Sequence, residues 1–188
     1  MQSDEQRAAA EQGDAKAQFH LALSYAKAGD DAQAAAWYRK SADQGFAQAQ
    51  YNLGVLYMYG DGVEQDDAQA AAWFRKAADQ GIAEAQYNLG LLYDHGQGVT
   101  QDDAQAAAWY RKAADQGIAS AQNNLGLRYK YGDGVAQDDA QAAAWFRKAA
   151  DQGNANARGN LDNLIRAGKA SATAASSATT RESPPPDR

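Results

Sequence analysis

The sequence predicts an all-α protein, a solenoid of four helix-turn-helix repeats closed by a C-terminal capping helix. Three observations predict it. Trp37, Trp73, Trp109 and Trp145 recur every 36 residues, and a fixed period of this size marks a stacked repeat array. Each Trp is followed by an aromatic residue (Tyr38, Phe74, Tyr110, Phe146), then Arg-Lys, and shortly afterwards Asp-Gln-Gly, which reads as the last turns of a helix stopped by glycine. Ahead of this helix, apolar or small residues fall at helical spacing, as at Ala49, Leu53, Leu56 and Tyr57.

The period divides a repeat domain, residues 1–167, into units at 13–44, 45–80, 81–116 and 117–152, with a cap at 153–167. Within the second unit, helix A runs from Phe46 to Tyr59, and Gly60-Asp61-Gly62-Val63 breaks it with two glycines. Asp66, three residues before Gln69, is placed to cap helix B. Asp66 and Asp67 then stand at the positive end of helix B, with Arg75 and Lys76 near its negative end, so both charge clusters complement the helix dipole. Gly54, Gly90 and Gly126, with Ala22 at the equivalent place in the first unit, leave room for a neighbouring helix. One such unit buries too few large side chains to stand alone, and stacking makes up the difference.

The first unit lacks four residues of the loop, so Tyr25 to Asp30 leads almost directly into its helix B by a tighter turn. Before it, Arg7 to Gly13 imitates the end of a repeat helix without the aromatic pair, as though the chain begins partway through a unit. After Gly153, the residues Ala155, Ala157, Leu161, Leu164 and Ile165 follow the helix A pattern, but Asp162 replaces the packing glycine and no helix B comes next. Residues 168–188 turn to Ala, Ser and Thr and contain Pro184-Pro185-Pro186, a composition expected of a disordered tail.

Composition narrows the function. With 24 acidic and 18 basic residues and a net charge of −6, no basic stripe is available to follow phosphates, and nucleic acid is not an expected partner. Cysteine is absent, which removes disulfides, thiolate metal sites and a thiol nucleophile. No apolar run approaches the roughly 18 residues of a membrane span. No cofactor or metal is expected: His20 and His95, the two histidines, fall in different units with no second ligand at metal spacing.

The repeated wording Ala-x-Ala-Gln-x-Asn-Leu-Gly-x-x-Tyr-x-x-Gly-x-Gly-Val, then Asp-Asp-Ala-Gln-Ala-Ala-Ala-Trp-[Tyr/Phe]-Arg-Lys-Ala-Ala-Asp-Gln-Gly, resembles the Sel-one-like repeat family, the longer-looped relatives of tetratricopeptide repeats. The match covers about residues 13–167, and three full units carry nearly every signature position. The resemblance implies a right-handed α-solenoid whose A helices line a concave groove, and a non-enzymatic scaffold or adaptor that holds other proteins. Some bacterial relatives pin each hairpin with a disulfide, which this cysteine-free chain does not share. Bacterial relatives are often exported, so the compartment stands open between the periplasm, after loss of an export signal, and the cytoplasm. A monomer is expected.

The units are alike enough that their differences are informative. Helix A varies at Gln48/Glu84/Ser120, Tyr51/Tyr87/Asn123, Val55/Leu91/Leu127, Met58/Asp94/Lys130 and Tyr59/His95/Tyr131. These offsets trace a stripe along one helix face. Asn52, Asn88 and Asn124 lie beside it and do not change. The stripe is the expected groove floor, with the Asn amides offering donor and acceptor to the backbone of an extended peptide and the varying neighbours choosing its side chains. The competing assignment is that the asparagines bond between adjacent helices or face water. A carboxylate clamp is not expected, because Lys16, Lys27 and Lys130 are exceptions on a mostly neutral face.

Two other functions fit parts of the sequence. Ser24-Tyr25-Ala26-Lys27 spells the Ser-x-x-Lys of penicillin-recognising serine hydrolases, but neither Lys-Thr-Gly nor Ser-Asp-Asn accompanies it, and Ser24 aligns with Leu56, Leu92 and Arg128. The other is an inhibitor or immunity protein that occludes a partner enzyme, using rim and loops as much as groove. The acids Asp61, Glu64, Asp66 and Asp67 lack the order of a calcium loop and are read as capping and solvated residues.

Overall fold

The computed structural model describes the backbone of residues 2–179 and the side chains of residues 5–168. Among the described residues it contains ten helices and no strand: α1 Gln2–Glu11, α2 Ala15–Lys27, α3 Asp31–Asp43, α4 Ala47–Tyr59, α5 Asp67–Asp79, α6 Ala83–His95, α7 Asp103–Asp115, α8 Ala119–Tyr131, α9 Asp139–Asp151 and α10 Ala155–Thr179. Each helix packs on the next in sequence. Thus α2, α4, α6 and α8 are the A helices and α3, α5, α7 and α9 the B helices of an α-solenoid.

Local chemistry fixes the ends. Asp30, Asp66, Asp102 and Asp138 cap the B helices, each accepting the N–H of the residue three further on at 3.1, 2.9, 3.0 and 2.9 Å, which satisfies a donor the helix cannot. The A helices α4, α6 and α8 stop at Gly60, Gly96 and Gly132, all left-handed. The three-residue connection 28–30 of the first unit is tighter than the seven-residue 60–66, as expected.

The tryptophans do the stacking. Trp73 joins the apolar cluster built by α2, α3 and α4, Trp109 that of α5 and α6, and Trp145 that of α7 and α8. Each B helix therefore sends its indole back into the preceding unit, and these three rings are buried to 4, 4 and 7 % exposure. Trp37, which has no full unit behind it, is half-buried. The packing glycines receive the ring beside the Trp: a Cβ on Gly54 would lie 2.8 Å from the Phe74 ring.

A ladder of glutamines runs through the same joints. The Gln50 side-chain amide donates to the Ala42 carbonyl at 3.1 Å, and its oxygen accepts from the Gln80 amide at 2.7 Å. Gln86 with Gln116, and Gln122 with Gln152, repeat the amide-to-amide bond. Loops seal the outer joint, since Gly62 (φ 68°) approaches α3 so closely that a Cβ would fall 2.2 Å from the Asp31 carbonyl.

Residues 2–11 form a helix that serves as a B helix, in keeping with the helix-end wording of Arg7 to Gly13, because Gln18 donates to the Ala10 carbonyl at 3.1 Å just as Gln50 does to Ala42. Glu5 and Gln6 stand where a B helix has its aromatic pair. The closing helix does not end at 167 before a disordered tail but continues to Thr179. Alanine is the strongest helix former, and Ala170, Ala172, Ala174, Ala175 and Ala178 propagate the helix with no proline before Pro184. The remainder of the expected tail, 180–188, lies outside the described residues. On α10, Arg158 and Asp162 occupy the places of Gln50 and Gly54.

Candidate functional site

The expected stripe divides in two. Positions 48, 52, 55 and 59 recur at intervals of four, three and four, so they share one side of α4. Glu84, Asn88, Leu91 and His95 repeat that side on α6, and Ser120, Asn124, Leu127 and Tyr131 on α8. The outer members, Gln48, Glu84, Ser120, Tyr59, His95 and Tyr131, are exposed, while the Asn and aliphatic rows between them are half-buried. Tyr59 and Tyr131, at 67 and 60 %, are the most exposed large apolar side chains among the described residues.

The other varying positions lie about 60–80° round the helix at 3.6 residues per turn. Tyr51 packs 5.8 Å from the Phe74 ring and Tyr87 6.0 Å from the Tyr110 ring. Asn123 is buried, accepts from the Asn160 amide of α10 at 2.9 Å and donates to Asn124 at 3.3 Å. Tyr51 and Tyr87 thus pack half-buried on the B helix of their own unit, and Asn123 ties α8 to α10.

The constant asparagines also reach into the stack. Asn52 and Asn124 stand against the hydroxyls of Tyr38 and Tyr110 on B helices, and Asn88 against that of Tyr51 on the adjacent A helix. Burial raises the Tyr51 phenol, the Glu84 carboxylate raises it further, and the Asn88 amide offsets part of the shift.

The largest electrostatic feature was not legible beforehand. Arg128 on α8 forms an ion pair with Asp94 on α6, bonds Asp103 at the start of α7 at 3.1 Å and lies 3.9 Å from Asp133. Tyr110 donates its hydroxyl to Asp94 at 2.9 Å. Burial, and then the Asp94 charge, push the Tyr110 phenol far above its ordinary value. Burial alone would lower the Arg128 guanidinium, but its bonds to Asp94 hold it above the usual arginine value. Lys130 is half-buried, with its ammonium 5.0 Å from the centre of the Tyr131 ring.

In the first unit, Lys16, His20 and Lys27 are exposed. Ser24 donates its hydroxyl to the His20 carbonyl one turn back at 3.0 Å, an ordinary arrangement for serine within a helix. No helix among the described residues is long and apolar enough to cross a membrane.

Stacked helix-turn-helix units with an indole at every joint define a repeat scaffold of the α-solenoid class. The chain belongs to the Sel1 repeat family, whose model matches residues 15–46, 47–82, 83–118 and 119–154. Proteins of this family are generally protein-interaction scaffolds. No curated protein matches the sequence. Among solved structures, the chain is similar to a protective antigen of uropathogenic Escherichia coli displaying an SLR fold (42 % identity, TM-score 0.84), over 88 % of this chain and 36 % of that one. It is also similar to a Sel1 repeat protein from Oxalobacter formigenes (35 % identity, TM-score 0.77), over 81 % of this chain and 64 % of that one. Helicobacter pylori cysteine rich protein B shares 25 % identity over 70 % of this chain and 95 % of that one, with a TM-score of 0.54. The chain thus spans about a third of the first relative's length and under two thirds of the second's.

Proposed function

We propose that the chain is a non-enzymatic scaffold or adaptor that receives a protein, or an extended peptide segment of one, on the concave side of the solenoid formed by the A helices. One observation carries this reading: three successive A helices present the same exposed lane, with a polar outer row, half-buried Asn and aliphatic rows, and the exposed ring row of Tyr59, His95 and Tyr131. Exposed aromatic side chains in register over adjacent units are what a partner would bury, since such rings contribute most to interface energetics. The scaffold character of the family supports it.

The test is a variant carrying Gln48→Ala, Tyr59→Ala and Tyr131→Ala, all exposed, compared with the unaltered chain for capture of partners from the native cell. Stability should change by only about 0.5 kcal/mol per site, while the set of captured proteins should be lost. A folded variant that retains the whole set overturns the proposal.

A further inference from the structure

The B helices carry a second recurring surface, away from the lane on the A helices. Tyr93 lies roughly half a turn round α6 from Glu84, Asn88, Leu91 and His95 at 3.6 residues per turn, and its hydroxyl accepts from the Arg75 guanidinium of α5. That guanidinium sits 5.4 Å from the centre of the Tyr93 ring and 5.7 Å from that of Trp109. One residue on, the Lys76 ammonium lies 3.8 Å from the centre of the Trp73 ring. Rings hold both cations, and a ring, unlike a carboxylate, leaves the charge unneutralised. These side chains stand at a cleft of about 500 Å³ between α5 and the loop that precedes α7, with Ala71, Ala72 and Val99 in its apolar lining. Gly98 lines it too, and lies so near the Asp67 carbonyl that no Cβ fits, which pins the loop against α5. Asp79 is the one carboxylate on the lining, against Arg75 and Lys76, so the cleft is locally positive on a chain whose net charge is −6. At physiological salt the Debye length is about 8 Å, and the local excess governs what enters.

The same set returns at the joints on either side. Ala35, Ala36, Arg39 and Lys40 recur with Tyr57 and Val63, and Ala107, Ala108, Arg111 and Lys112 with Tyr129 and Val135. Arg39 and Arg111 donate to the Tyr57 and Tyr129 hydroxyls, with their guanidinium carbons 5.5 and 5.4 Å from the ring centres. Lys40 and Lys112 lie 3.8 and 3.7 Å from the centres of the Trp37 and Trp109 rings. At the end of the stack the set is broken, because Ile165 stands in the place of the tyrosine and Arg147 is exposed.

We infer that this face binds an acidic segment of a partner protein, each cleft taking one glutamate side chain. The surface lies apart from the A-helix lane and neither needs the other. The glutamate methylenes lie on the alanine and valine lining. A guanidinium has five N–H donors and the tyrosine hydroxyl takes one, so the carboxylate accepts from those left free in a charge-assisted bond. The neighbouring lysine adds a second positive charge beside it.

The test uses the full chain and two capped synthetic peptides, Ac-Ala-Leu-Ala-Glu-Ala-Leu-Ala-NH2 and the same peptide with glutamine for glutamate, with binding followed by nuclear magnetic resonance titration. The glutamate peptide should bind about tenfold more tightly. Lys40→Gln, Lys76→Gln and Lys112→Gln together, all at exposed residues, should leave the fold intact and cut that preference to about threefold or less. Arg147→Gln, Arg158→Gln and Arg166→Gln together change net charge equally where no complete cleft exists and should leave the preference intact. Equal binding of the two peptides overturns the acidic-segment surface, as does a preference kept in full by the lysine variant. So does an equal loss in both triple variants, which would mark a general effect of net charge. Absence of binding by either peptide also overturns it. The A-helix lane keeps all its residues in these variants, so its own test is unaffected by any of these outcomes.

Discussion

Arg128 on α8 is held by Asp94 on α6, one unit away, with the hydroxyl of Tyr110 on the helix between them bonded to the same carboxylate. At the preceding joint the equivalent residues are Leu92 and Met58, which pack in one apolar cluster. The same space is filled by an ion pair in one joint and by hydrocarbon in the other. Arg128→Leu alone strands Asp94 beside a hydrophobic neighbour and should cost roughly 2–3 kcal/mol. The triple change Asp94→Met, Tyr110→Phe and Arg128→Leu recreates the earlier joint, where Phe74 stands in the place of Tyr110, and should recover most of the loss. Urea unfolding of the three chains measures both.

Tyr110 should make stability depend on pH in the alkaline range. Its phenol is raised in the folded chain, by burial first and Asp94 second, so folding favours the protonated form. That contribution is complete below the ordinary tyrosine value of about 10 and falls away as pH rises beyond it, because the unfolded chain ionises first. Tyr110→Phe, which copies Phe74 and Phe146, should cost about 1–2 kcal/mol at neutral pH through the lost bond to Asp94. It should also flatten the decline above pH about 10 in thermal melts.

Glycine substitutions should separate packing from propensity. A Cβ on Gly90 would sit 2.7 Å from the Tyr110 ring, whereas one on Gly159 meets nothing within 4 Å. Gly90→Ala should therefore destabilise by about 1–3 kcal/mol through overpacking. Gly159→Ala should be neutral or stabilise by up to about 1 kcal/mol, since alanine is the better helix residue. Melting temperatures of the two variants should move in opposite directions or only the first should move.

The glutamine ladder should prove structural. Gln86 donates to the Ala78 carbonyl at 3.0 Å and accepts from Gln116 at 2.8 Å. Gln86→Ala should remove one of two bonds to the Ala78 carbonyl, which keeps the Gly81 N–H at 3.0 Å, and take the Gln86 acceptor from the Gln116 amide, at a cost of about 1 kcal/mol read by chemical unfolding. Partner capture by the folded fraction should not change.

The period, the helix boundaries and the role of the indoles were legible because they depend on local signals: a tryptophan interval, an aspartate cap, a terminal glycine. The face of each A helix was less legible. Offsets alone place Tyr51 and Asn123 close to Gln48 and Tyr59, and only the position of the adjacent helix decides which of them is covered. The Arg128 cluster was hidden for another reason. Its members come from α6, α7 and α8, and nothing in the sequence pairs Arg128, which stands where Leu56 and Leu92 do, with Asp94. The constant Gln of Ala-x-Ala-Gln was a signal that could have been used, since a polar residue repeated unchanged between small ones seldom faces water by accident.

Asp162 gives the last helix a different outer surface from every A helix before it. Gly54, Gly90 and Gly126 each leave a hollow that an aromatic ring fills, while Asp162 puts a carboxylate there, and Arg158 offers no acceptor where the preceding joints have a glutamine oxygen. A hairpin of the repeat type laid directly on α10 would have to press its phenyl ring onto a charge. Asp162 and Arg158 thus give α10 an outer face that refuses the aromatic packing used at each joint before it.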